Sequence, residues 1–303
     1  MKIIDCTILY EWEYDRDFVY ILSEELEVEG VNHQIIGQPE FRGTLNKLRS
    51  GEISFLSAVD RASDVDDDCE ELVNLLHHRH SYIINDPKQI KHASDKASMH
   101  LEFITAGIFV PYTIIISPYN RQKEIKLSLS ELARLGRPFI IKPANTTGGG
   151  IGVVTGAESL QDVIETRQHN RDDKYLLQEK IEPMIINGRR AWFRSFYACG
   201  KVFEVWWDDL THVYEPVTDS EYRDYKLNEV TNLTEKIHNV CGLDFFSTEV
   251  ALTTGGKFVV IDYVNEMPDM RLKSSNQDGV PDEVVAGICK ELARGIGRVV
   301  HSK

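Results

Sequence analysis

The segment that most restricts what this chain can fold into is Phe139-Ile-Ile-Lys-Pro-Ala-Asn-Thr-Thr-Gly-Gly-Gly-Ile-Gly-Val-Val154. Three consecutive glycines, Gly148, Gly149 and Gly150, lose the most conformational freedom on ordering, so they belong where backbone must come close to something. Their N–H groups can line an anion-binding concavity, and Thr146 and Thr147 add hydroxyls. A P-loop reads GxxxxGK[ST] and a dinucleotide-binding turn reads GxGxxG, and both open a helix. Neither pattern is present here, and the residues that follow are strand-forming. The loop is therefore expected to join two antiparallel strands and to close over phosphates as a flap. Lys142, at the end of the first strand, would reach those phosphates as a point charge. The competing reading is a glycine-rich hairpin with a surface lysine.

A second constellation lies about a hundred residues further on. Ser247-Thr-Glu249-Val-Ala-Leu runs through a Thr-Thr-Gly-Gly turn into Lys257-Phe-Val-Val-Ile-Asp262-Tyr-Val-Asn265. Strands joined this tightly lie side by side, so Glu249 and Asp262 can project into one site. Asp262 interrupts a strongly apolar run, where an unpaired charge is costly. Two carboxylates with the amide oxygen of Asn265 are hard ligands suited to Mg²⁺, which takes its remaining ligands from phosphates and water. The alternative is that Asp262 ends its strand and pairs with Arg271 or another base.

The rest of the pattern supplies a frame for these two segments. Over residues 1–87, apolar runs at 3–9, 31–36, 53–56 and 81–84 alternate with helical spacing around Phe18, Leu45 and Leu72, and Asn85-Asp86-Pro87 stops the series. Strands separated by helices give an open parallel α/β layer. One helix is expected over 88–107, closed by Gly107, then an extended stretch at 110–116, a short helix at 128–136, strands at 138–142 and 151–155, and a helix at 159–168. From Tyr175 onward the chain is β-rich, with helices at 226–240 and 281–300. The fold class is α/β (α+β) in three parts: residues 1–87, 88–180 and 181–303.

Composition excludes several classes. The 303 residues carry 34 Lys+Arg against 48 Asp+Glu, a formal net charge of -14. That argues against a nucleic-acid binder, whose affinity needs clustered positive charge, and against a basic membrane-surface protein. The start, MKIIDCTILYEWEY, lacks the basic patch and apolar run of a signal peptide, and no stretch of about 18 apolar residues is long enough to span a bilayer. Five cysteines without CxxC spacing read as reduced thiols of a cytoplasmic protein, mostly buried as small hydrophobes. His77-His78-Arg79-His80 follows a helical apolar run, and its spacing does not focus three imidazoles on a metal. The acids of 64–71 read as a helix start. In Trp206-Trp207 successive strand residues face opposite ways, so one indole must point away from the core.

Taken in order, these segments resemble the ATP-grasp superfamily over roughly residues 82–275, and the α/β unit before them resembles its usual N-terminal domain, with two α+β subdomains to follow. Asp95-Lys96 ahead of AGIFVPYTIII is similar to a segment whose lysine contacts ATP phosphates, here Lys96. FIIKPANTTGGGIGV resembles the strand and glycine loop that place Lys142, Thr147, Gly148, Gly149 and Gly150 at the nucleotide. LLQEKI resembles the hinge, with Gln178 and Glu179 against the adenine and the backbone near Lys180 and Ile181 pairing its edge. Arg194 matches the arginine of an Asp-Ile-Arg pattern that faces the transferred phosphoryl group or substrate. Trp192 stands where that pattern has its aspartate, which makes Glu182 the candidate for the ribose. Glu249, Asp262 and Asn265 fall where the superfamily holds Mg²⁺, expected as two ions with Mn²⁺ as a substitute. Asp262 and Asn265 are three apart where the pattern has two, so either a bulge restores the geometry or Asn265 is not a ligand.

The resemblance implies an ADP-forming ligase that activates a carboxylate as acyl phosphate for attack by an amine. The similar members are of the ribosomal-protein glutamate ligase, D-alanine–D-alanine ligase and glutathione synthetase type. Small carboxylates and amines are the implied substrates, a peptide is one possible acceptor, and a homodimer is the implied assembly. Arg271 is placed to grip a carboxylate bidentately, or else to bridge to Asp269. NEMPDMRLKS lacks the Pro-Gly sequel of the superfamily, so the acceptor end differs. The alternatives on the same fold are a kinase phosphorylating a small hydroxyl compound and a non-catalytic ATP-binding protein.

Overall fold

Alternation of apolar strands and amphipathic helices at the start of the chain produces a parallel sheet. In the computed structural model, which describes residues 1–145 and 152–302, its elements are β1 (Lys2–Tyr10), α1 (Arg16–Val28), β2 (His33–Gly37), α2 (Phe41–Arg49), β3 (Ile53–Arg61), α3 (Asp67–His78) and β4 (Tyr82–Ile84). The strand order is β2-β1-β3-β4 and every pair is parallel. Helix α1 buries Phe18, Val19, Leu22 and Leu26 on one stripe. Helix α3 begins where the acids of 64–71 were expected to start one: Asp66 accepts from the Cys69 N–H at 2.9 Å, and Asp67, Asp68 and Glu70 occupy the first turn.

The helix expected over 88–107 is instead two, α4 (Pro87–Ala93) and α5 (Lys96–Thr105). The Asp95 carboxylate turns back to accept from the Ala97 and Ser98 N–H groups at 3.0 and 3.2 Å. An aspartate that satisfies these orphan donors is an N-cap, so a new helix starts there. Gly107 follows the end of α5 at φ 70°.

Next come β5 (Thr113–Ile116), α6 (Leu129–Leu135), β6 (Phe139–Pro143), β7 (Val154–Ala157), α7 (Leu160–Thr166) and β8 (Tyr175–Glu179). The four strands form a sheet in the order β5-β8-β6-β7 with every pair antiparallel, so the glycine segment does connect antiparallel neighbours. Phe139, Ile141, Tyr175 and Leu177 share one apolar core with Leu135 and Val163. The period of two then places Lys142 and Gln178 on the opposite face. A two-residue hairpin joins β9 (Ile185–Ile186) to β10 (Arg189–Arg190). Its loop residues Asn187 and Gly188 have φ of 50° and 81°, the positive pair that a type I′ turn requires.

The chain continues through β11 (Trp192–Ala198), β12 (Lys201–Trp207), β13 (Tyr214–Pro216), α8 (Asp219–Asp224), α9 (Asn228–Cys241), β14 (Phe245–Leu252), β15 (Phe258–Val260) and α10 (Asp282–Val300). Two compact units result: Met1–Lys91 with Phe193–Ser247 and Asn265–Lys303, and His92–Trp192 with Thr248–Val264. The first holds the parallel sheet and the strand series β13-β12-β11-β14. In the second, the far half of β14 pairs antiparallel with β15. Among the described residues no helix is long and apolar enough to cross a membrane, and all five cysteines are free, four of them buried.

Asn85, just beyond β4, ties the first unit together. Its Oδ1 accepts from the Phe245 N–H at 2.9 Å, and its Nδ2 donates to the carbonyls of Phe245 and Glu266 at 2.5 and 3.2 Å. Asn85→Ala leaves the buried Phe245 N–H and carbonyl and the part-buried Glu266 carbonyl without these partners and should cost about 2 kcal/mol or more. Urea denaturation checks this, and a loss below about 0.5 kcal/mol would contradict the assigned bonds.

Candidate functional site

Lys142 is the residue around which the second unit's polar side chains gather. It is the last residue but one of β6, on the face away from the apolar core, and is only 7 % exposed. Its Nζ donates to the Ile261 carbonyl at 3.2 Å and lies 5.0 Å from the centre of the Tyr263 ring. Burial pushes the ammonium down from 10.5 to about 8; Asp262 and Glu249 oppose that shift, and Lys96 adds to it. Two cations and two carboxylates therefore act on one buried point. Lys96 is the first residue of α5, and its backbone N–H donates to the Ala144 carbonyl at 3.1 Å, which pins the helix start to the end of β6. A lysine in the first turn of a helix adds to the positive end of the dipole, so this corner favours an anion.

The carboxylates come from a bulged pair of strand segments. Glu249 donates its N–H to the Asp262 carbonyl at 3.1 Å, while its own carbonyl accepts from the Ile261 N–H at 2.8 Å. Two residues thus oppose one, which is a β-bulge. The Thr248 hydroxyl donates to the Asp262 carbonyl as well, at 2.9 Å. The bulge is also why β15 stops at Val260 although the apolar run continues to Val264. Glu249 Oε2 accepts from the Trp192 indole N–H at 3.3 Å, so the tryptophan standing in place of an aspartate touches one of the two acids. Among the described residues no group of three or more His, Cys, Asp or Glu side chains could hold a metal. Two carboxylates alone match the few protein ligands that Mg²⁺ takes when phosphates and water supply the rest. Asn265 belongs to the first unit, where it pairs with Ser247, and its Oδ1 accepts from the Met267 N–H at 3.2 Å.

At the end of β8, Gln178 is buried and its Nε2 donates to Thr113 Oγ1 at 3.0 Å and to Tyr263 Oη at 2.9 Å. Tyr263 Oη lies 2.6 Å from His100 Nδ1. Glu179 Oε1 accepts from the Tyr112 N–H at 2.6 Å. Lys180 pairs with Glu182 at 2.8 Å and Arg190 approaches the same carboxylate at 3.4 Å; the Lys180 hydrogen bond holds the Glu182 carboxyl below its ordinary range. Ile181 is half-buried. Thr147, Gly148, Gly149 and Gly150 lie outside the described residues.

No family model matches the chain, and no curated protein matches it in sequence. Solved structures do match. A RimK domain ATP-grasp protein from Sphaerobacter thermophilus is similar at a TM-score of 0.63 and 18 % identity, covering 95 % of this chain and 98 % of its own. D-alanine–D-alanine ligase from Bacillus anthracis, solved with ATP, gives 0.65 at 12 % identity with 99 % of each chain covered. The ATP-grasp ligase PsnB, solved with a minimal precursor, Mg and ADP, gives 0.60 at 12 % identity with 98 % of each covered. The chain has the ATP-grasp fold.

Within this ATP-grasp fold, the first unit holds the two arginines that the sequence singled out. Arg194 lies in β11, is 9 % exposed, donates from Nε to Ser247 Oγ at 3.1 Å and sits 5.4 Å over the Trp207 ring. Trp206 is the indole turned inward, 4.5 Å from the Phe193 ring. Arg271 is held by Asp269 at 2.7 Å and by Asp278 at 2.9 Å, and those two carboxylates push its pKa up still further. Asp269 is the partner the sequence offered as the alternative to a substrate carboxylate.

Tyr263, His100 and Trp192 are site residues that sequence reasoning did not propose for these contacts. His100 was detectable, because it lies four residues after Lys96 and therefore on the same face of α5. Tyr263 had no signal beyond its place next to Asp262.

Lys142 should titrate near pH 8 rather than 10.5. Between those values the unfolded chain holds a proton that the folded chain lacks, so this lysine makes stability rise with pH across that window. NMR of ¹³C-methylated lysines, assigned with Lys142→Arg, checks the value. A titration at the ordinary lysine position would contradict the burial described here.

Proposed function

We propose that this protein is an ATP-dependent, ADP-forming ligase that activates a carboxylate as acyl phosphate for attack by an amine. The observation that carries the reading is the buried Lys142 ammonium, hydrogen-bonded to a carbonyl and crowded by Lys96, with Glu249 and Asp262 alongside. A polyanion relieves the like-charge repulsion of the two lysines, and a divalent cation relieves that of the two acids. Magnesium triphosphate supplies both in one ligand. The D-alanine–D-alanine ligase neighbour was solved with ATP and the PsnB neighbour with Mg and ADP, which supports the same ligand here.

In this reading Lys142 and Lys96 hold the phosphates, and Glu249 and Asp262 hold Mg²⁺. Bound there, Mg²⁺ would neutralise developing charge on the phosphoryl oxygens. Glu179, Lys180, Ile181 and Glu182 form the hinge for base and ribose, with Thr147, Gly148, Gly149 and Gly150 as the phosphate flap. By its match to the family's arginine, Arg194 takes the role of stabilising charge on the phosphoryl group as it moves. Arg271, already paired with two carboxylates, is better suited to hold the loop after the metal strand than to bind substrate. Free, mostly buried cysteines favour a reducing, cytoplasmic setting. The PsnB neighbour solved with a precursor peptide supports including peptides among the acceptors tested.

Mg–ATP should raise the melting temperature of the wild-type protein, and Lys142→Ala should weaken ATP binding at least about tenfold, the worth of one charge-assisted contact. Affinity should fall above about pH 8, because the free site then loses the Lys142 proton that the bound site keeps. Turnover to ADP and inorganic phosphate should require both an acid and an amine. Phosphate retained on a product would make the protein a kinase, and ATP binding without turnover would make it a non-catalytic binder. No thermal response to Mg–ATP would end the reading.

A further inference from the structure

Lys174, just ahead of β8, grips with its backbone and its side chain the two segments that carry Lys96 and Lys142. The β6–β8 ladder runs to Pro143 opposite Tyr175, and one step further the Lys174 carbonyl accepts from the Ala144 N–H at 2.9 Å. The Ala144 carbonyl in turn accepts from the Lys96 N–H at 3.1 Å, at the start of α5. The Lys174 ammonium then donates to Asp95 Oδ2, in the residue before Lys96, at 2.5 Å. Strand end, helix start and the Lys174 side chain thus close into one ring of bonds. Lys142 lies two residues before Ala144 on the strand side of that ring, and Lys96 lies on its helix side. Asp173 ties the strand end a second time, accepting from the Asn145 N–H and Nδ2 at 2.9 and 2.8 Å.

The helix start itself has no need of this ammonium. Asp95 already accepts from the Ala97 and Ser98 N–H groups and from the Ser98 hydroxyl, the last at 3.0 Å. A cation beside the first turn of a helix also opposes the dipole. The pair is partly exposed, 36 % at Lys174 and 22 % at Asp95, and pairs of that kind contribute little to stability. What the ring supplies is geometry, because opening it frees the start of α5 to turn about the Lys96–Ala144 bond. Lys96 and Lys142 carry like charges and repel one another, so their spacing has to be held by other groups before an anion arrives. Resting on the ATP reading above, we propose that Lys174 and Asp95 are a positioning pair that sets the spacing of Lys96 and Lys142 for the triphosphate. The pair acts through those two lysines and does not itself touch phosphate. A site spaced in advance spares the ligand the cost of ordering it.

Equilibrium titration with Mg–ATP and with adenosine, which carries no phosphate, tests the proposal on wild type, Lys174→Met and Asp95→Asn. The two substitutions change charge in opposite senses, and asparagine still caps a helix. Charge acting through space would let Asp95→Asn bind Mg–ATP more tightly, whereas an opened ring weakens it. Both variants should lose about fivefold in Mg–ATP affinity, and the double variant should lose no more than either alone. Adenosine affinity should not follow these losses, and in a Lys96→Met background Asp95→Asn should cost nothing further. Should Lys174→Met fail to fold, Asp95→Asn carries the test by itself. Mg–ATP affinity that is unchanged or raised in Asp95→Asn overturns the proposal while leaving ATP binding by the wild type intact. A loss that persists in the Lys96→Met background overturns it, and so does a parallel loss of adenosine, because the pair then merely supports the fold. A wild type that binds no Mg–ATP removes the ATP reading and this proposal with it.

Discussion

A single buried ammonium organises the second unit. Lys142 hydrogen-bonds to the Ile261 carbonyl, rests on the Tyr263 ring and feels Asp262, Glu249 and Lys96. Taking an ammonium out of water is costly, and here only part of that cost is met by groups of the chain itself. The neighbouring elements are consistent with that tension. The end of β6 receives the first N–H of α5, and the strand carrying Asp262 is bulged against Glu249. Helix, sheet and hairpin are thereby held to one point by backbone bonds rather than by side-chain packing alone.

The first unit follows a different physical logic. Its parallel sheet is covered on both faces by apolar helices, with separate cores made by α2 and α3 on one side and α1 and α10 on the other. Polar residues there work mainly as fasteners. Asn85 saturates backbone groups near the start of β14, and the Arg61–Asp15 pair, fully buried and bidentate, also binds the Pro268 carbonyl. Arg271 with Asp269 and Asp278 extends the same scheme into the loop that follows Asn265.

Much of this was legible in the sequence where one residue breaks a strong pattern. Asp262 stands out because it interrupts an apolar run, and Lys142 because it precedes three glycines. The parallel layer was legible because period-two and period-3.6 stretches alternate without ambiguity. Asp95 was not legible as a boundary: within 88–107 it looks like any helix acid, and only its side chain folding back on Ala97 and Ser98 makes it a cap. Arg271 stayed ambiguous because Asp278 joins it only once the loop has closed. Tyr263 and His100 were hidden for a related reason. Each reads as an ordinary core residue of a strand or a helix, and their polar atoms meet only across 163 positions of chain.

The bulge at Ile261–Asp262 has a consequence for how this segment can evolve. Faces of a strand alternate residue by residue, and pairing passes from Val250 with Val260 to Ser247 with Asn265, so two extra residues lie on the second strand, an even number that keeps the faces in step. Only Asp262 and Tyr263 lie between Ile261 and Val264, so the loss of one residue there removes either the acid or the ring outright. Length drift is therefore closed to this stretch, whereas the Thr253–Gly256 turn that joins the same strands can lengthen without inverting anything. Lineages descending from a common ancestor should carry the irregularity as an inherited unit, altered only by paired gain and loss.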